Sequence, residues 1–107
     1  MQETYKINYK RIIKDCFWDV KMTPSDVDAI VSSGDWHRKT LLFEKILLNS
    51  TRMLVDLSVF QKDDLILLIE GFKVPTFNYD YIFRRKNIAE VYFLNKPLEI
   101  DELKWIA

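Results

Sequence analysis

The chain has 107 residues, with 16 basic and 16 acidic side chains and a formal net charge of zero. That length suits one domain, 1–107, able to fold alone, and the zero balance removes the general electrostatic argument for nucleic acid or an anionic membrane. Hydrophobic residues at 49% and aromatics at 14% exclude a disordered chain, while two Gly and three Pro are too few for the turns of a sandwich or barrel. The expectation is an all-α domain of about six or seven short helices.

In chain order, Tyr9, Ile12, Ile13, Cys16 and Phe17 recur at helical spacing and predict an apolar face over Tyr9–Trp18. Lys10, Arg11 and Lys14 fall on the other side. Thr23-Pro24-Ser25-Asp26 is a helix start: Thr23 suits the N-cap, Pro24 the first helical position, and Asp26 the positive end of the dipole. That helix is expected to end near Val31 or Ser32, with Gly34 as the residue after its cap.

Asp35 is expected to cap a longer helix, Trp36–Leu48. Leu41, Leu42, Phe43, Ile46, Leu47 and Leu48 make it apolar on most sides, as in a central core helix. Ser50 or Thr51 could cap the next, Arg52–Phe60. Asp64–Phe72 follows, with Leu65, Leu67, Leu68 and Ile69 as its buried side and Gly71 and Pro75 as its end. Thr76 or Asn78 opens an aromatic helix that runs to about Leu94, where Asn95-Lys96-Pro97 stops it. A short helix from Asp101 could dock Ile100, Leu103 and Trp105.

No stretch reaches the roughly 18 consecutive apolar residues of a membrane span, and Met1–Arg11 has no apolar signal core. Cys16 is the single cysteine. Together these predict a reducing, cytoplasmic setting.

Catalytic signals are sparse. His37 is the only histidine and falls at a helix start, where a surface or capping role suffices. A Cys16–His37 nucleophile pair has no support from spacing. Asp26 with Asp28, Asp63 with Asp64, and Asp101 with Glu102 all fall in predicted first turns, where helix-end chemistry accounts for them. No Gly-rich loop offers a phosphate cradle. A helical ribonuclease of the HEPN type would carry an Arg followed some residues later by His on one helix. Here His37 precedes Arg38. No enzyme activity, metal or cofactor is expected.

The sharpest feature is Phe77–Pro97, where Arg84-Arg85-Lys86 stands among Tyr79, Tyr81, Phe83, Tyr92 and Phe93. Three consecutive helical positions span about 200° at about 100° per residue, so the triplet cannot lie wholly opposite the core. One Arg must therefore run along the core edge and find a partner. Glu90 can pair with Lys86 and Asp80 with Arg84. Ile82, Phe83, Ala89, Tyr92 and Phe93 are candidate core residues. The candidate partner-binding set is Tyr81, Arg84, Arg85 and Lys86, joined by Lys10, Arg11 and Lys14. Lys6 adds charge against Glu3. If the first and aromatic helices are neighbours, one face becomes strongly basic. Trp18, Trp36, Tyr79, Tyr81 and Trp105 exceed what a small core needs, so some must reach the surface, and exposed aromatics beside Arg are typical of protein interfaces.

Phe17-Trp18-Asp19, then a capped short helix, then Gly34 before a long hydrophobic helix, resembles a group of small helical prokaryotic proteins of unknown function. The likeness covers about residues 16–70. Members of that group are often encoded beside nucleotidyltransferase-type toxins, so the resemblance implies an antitoxin-like role with such a protein as partner. It assigns no functional residue. The expected function is therefore non-catalytic protein binding. The alternative is a small DNA-binding transcriptional regulator that uses the Arg84–Lys86 helix.

Overall fold

The computed structural model describes residues 9–17 and 21–99. Among these residues the protein is all-α: α1 (Tyr9–Cys16), α2 (Pro24–Ser32), α3 (Trp36–Asn49), α4 (Met53–Leu57), α5 (Lys62–Gly71) and α6 (Tyr79–Leu94), with no strand. Glu3, Lys6, Trp18, Asp19 and the tail helix expected from Asp101, with Ile100, Leu103 and Trp105, lie outside the described residues. The chain falls into two compact units, Met1–Leu65 and Ile66–Ala107. The division lies inside α5.

In the first unit α3 is central and meets α1, α2 and α4. Its sequence allowed burial on most sides, but burial is one-sided. Leu42, Phe43, Ile46 and Leu47 are buried, while Leu41 is 49% exposed. Ile12 and Cys16 of α1, Val27 and Ile30 of α2, and Met53 and Leu57 of α4 are buried as well. Phe43 meets Phe60 edge-on, with ring centroids 6.4 Å apart, a geometry favoured by the ring quadrupoles.

The starts of α2 and α3 follow local chemistry. Thr23 Oγ1 accepts the Asp26 N–H at 3.2 Å, and Asp26 Oδ2 accepts the Thr23 N–H at 3.0 Å. This is a reciprocal capping box with Asp in the role usually given to Glu. Asp35 Oδ1 accepts the Arg38 N–H at 3.2 Å.

The end of α2 departs from expectation. No glycine here has a positive φ, and the cap is Ser33 in extended conformation. The Ser33 hydroxyl donates to the Ile30 carbonyl at 2.9 Å and accepts the Asp35 N–H at 3.1 Å. One side chain thus closes α2 and positions the cap of α3, and the left-handed turn that would need Gly34 is not used.

Neither Ser50 nor Thr51 caps α4. Arg52 occupies that position with no side-chain cap bond, because both hydroxyls are drawn to carboxylates. Ser50 Oγ donates to Asp56 Oδ2 at 2.5 Å, and Thr51 donates to Asp15 Oδ2 from Oγ1 at 2.7 Å and from N at 2.9 Å. The helix is also shorter than expected. From Ser58 to Phe60 each N–H bonds three residues back, at 3.1 to 3.3 Å, which tightens the chain out of α geometry.

In α5, Leu65, Leu68 and Ile69 are buried but Leu67 is 58% exposed. Helical spacing separates Leu67 from the 65, 68, 69 stripe, so its expected burial is corrected. In the second unit α6 buries Ile82, Asn87 and Ala89. Asn78 and Asn95, at its two ends, take left-handed φ values of 54° and 58°, where Asn is among the best-tolerated residues after Gly. The Asn95 and Lys96 N–H groups both turn back onto the Glu90 carbonyl, which terminates the helix where the sequence predicted.

Candidate functional site

The basic triplet of α6 spreads around the helix, and each member meets a different environment. Arg84 is exposed. Arg85 is half-buried and lies with its guanidinium carbon 5.6 Å from the Tyr81 ring centroid, within cation–π range. Lys86 is half-buried and pairs with Glu90 at 3.5 Å. The order Lys then Glu at i, i+4 is the weaker orientation against the helix dipole. Glu90 is held from its other oxygen, which accepts from Asn87 Nδ2 at 3.3 Å.

Tyr92 was expected in the core. It is 59% exposed, and its ring meets Phe93 edge-on at 4.8 Å. At about 100° per residue, Tyr92 falls within the same arc as Tyr81, Arg84, Arg85 and Ile88. The wheel that spread the triplet would also have placed Tyr92 outward. Tyr81 is 50% exposed. Tyr79, also exposed, stacks on Phe83 with centroids 5.8 Å apart, and Phe77 just ahead of the helix is exposed. The outward arc thus exposes Tyr81, Arg84 and Tyr92, with the half-buried Arg85 and Ile88 between them. No acidic residue falls within it.

The basic residues of α1 divide. Lys10 and Lys14 are exposed. Arg11, grouped with them in the sequence, instead reaches the fully buried Asp56, donating from Nε at 3.3 Å to Oδ2 and from Nη2 at 2.5 Å to Oδ1. Its guanidinium is held further above its already high range, first by the hydrogen bond to Asp56, against the opposing effect of burial. One helical turn on, Asp15 takes the two Thr51 donors. Burial is the largest influence on Asp15 and pushes its carboxyl up. The two Thr51 bonds and the nearby Lys14 and Arg11 together outweigh it and hold the group below the usual Asp range. Arg11 therefore ties α1 to α4 through Asp56, and Asp15 ties it to the turn between α3 and α4 through Thr51. Lys10, Arg11 and Lys14 belong to the first unit and the α6 arc to the second.

Two polar residues with structural roles were not anticipated. Lys39 is buried and pairs with Asp64 at 2.8 Å, with its ammonium 5.9 Å from the Trp36 ring. Asp64 thus serves both the first turn of α5 and this ion pair. Asn87 is buried and holds the segment after α6: its Nδ2 donates to the Pro97 carbonyl at 3.2 Å, and its Oδ1 accepts the Glu99 N–H at 2.6 Å. An Asn in the interior of a predicted helix, ten residues before a Pro, was the only hint. Cys16 is buried and His37 is exposed. Among the described residues no three His, Cys, Asp or Glu side chains converge on a common point, and no helix is long and apolar enough to cross a membrane. No protein-family model matches the chain, and neither does a curated protein or a solved structure.

Proposed function

We propose that the protein acts by binding another protein, without catalysis of its own, and that the outward arc of α6 is its contact surface. One observation carries this reading. Tyr81, Arg84 and Tyr92 are exposed along one side of the helix, and the half-buried Arg85 beside them lies against the Tyr81 ring. Tyr and Arg are the residue types enriched at interface centres and among their energetic anchors. An Arg already stacked on a ring loses less side-chain freedom on binding than a solvated one.

The residues that could carry chemistry support the same reading. The Cys16 thiol is buried, and the carboxylates of Asp26, Asp56 and Asp64 are each engaged in a cap or an ion pair. Within the protein-binding class, the Phe17 to Gly34 pattern favours an antitoxin-like role, with a nucleotidyltransferase-type toxin as partner.

The test is co-purification from the native host, with the captured protein identified by mass spectrometry and its affinity measured against wild type, Arg84→Ala and Arg85→Ala. The reading expects one defined partner whose binding weakens with at least one substitution while the helical circular dichroism is kept. Equal binding by all three chains would reject the arc. Duplex DNA as the ligand, with affinity falling steeply as salt rises, would replace this reading with the DNA-binding regulator.

A further inference from the structure

We draw no further inference here: the strongest candidate, the side of α6 along which Tyr81, Arg84 and Tyr92 are exposed, belongs to the surface already proposed for protein binding, and nothing in the structure shows what covers it.

Discussion

Arg11 and Asp56 are 45 positions apart, and the arginine closes on the buried carboxylate with two N–H donors while Ser50 supplies a third donor from its hydroxyl. Asp56 has no side-chain exposure, whereas that of Arg11 is 22%. A buried carboxylate depends on such donors, because transfer from water into the protein removes its hydration. Arg11→Ala should therefore destabilise the first unit by about 3–5 kcal/mol, the cost of leaving a buried charge without its partner. Lys10→Ala and Lys14→Ala, on exposed positions of the same helix, should stay within about 0.5 kcal/mol. Urea midpoints of the three variants make the comparison. A loss for Arg11→Ala no larger than that of its neighbours would show the pair to be incidental.

The centre of the first unit can be tested through neighbouring leucines. Leu42 and Ile46 are fully buried and Leu41 is half out in solvent. Truncating Leu42 or Ile46 to Ala should cost about 2–5 kcal/mol through lost transfer free energy and the cavity left behind. Leu41→Ala should cost far less. Losses under about 1 kcal/mol at both buried sites, against the range expected for core truncations, would make α3 peripheral.

Asn87 ties the chain after α6 to the helix by donating to one backbone group and accepting from another, as a neighbouring strand would. Asn87→Leu keeps the volume close but removes both bonds, so Pro97 and Glu99 must find solvent. The Glu99 amide should then exchange with solvent deuterium much faster than in wild type, while amides in α1 to α3 keep their rates. Unchanged protection at Glu99 would mean that the segment is held by other contacts.

Acid stability should carry the signature of Asp15. Its folded pKa lies below that of an ordinary Asp, so the unfolded chain takes up the proton first as pH falls. The Thr51 bonds and the nearby cations therefore contribute fully above the unfolded pKa of about 3.9, and that contribution is lost as pH drops through the folded value. Asp15→Asn should be less stable than wild type at neutral pH, and the gap should narrow below about pH 4. Denaturation midpoints of the two proteins, followed from neutral to acid pH, measure it. A gap that stays constant would remove Asp15 from the acid response.

Helix positions and the core of α3 were legible in the sequence because their causes are local. Thr23 with Asp26 and Asp35 with Arg38 satisfy orphan N–H groups within four residues of one another, so the residue types at that spacing are enough to read a start. The 42, 43, 46, 47 stripe likewise needs only the 3.6-residue period. The same period predicted that the Arg84-Arg85-Lys86 triplet must wrap around its helix.

Only the tertiary structure decided which cations turn inward. Arg11, Lys10 and Lys14 are alike in sequence, and what separates Arg11 is a carboxylate brought beside it by the turn between α3 and α4. Lys39 meets Asp64 across 25 positions, and Asn87 meets Glu99 across 12. Ser50 and Thr51 look like helix caps until Asp56 and Asp15 compete for their hydroxyls. Local periodicity assigns a residue to a side of its helix, whereas the partner that satisfies a buried polar group comes from wherever the chain returns, and no local pattern encodes that return.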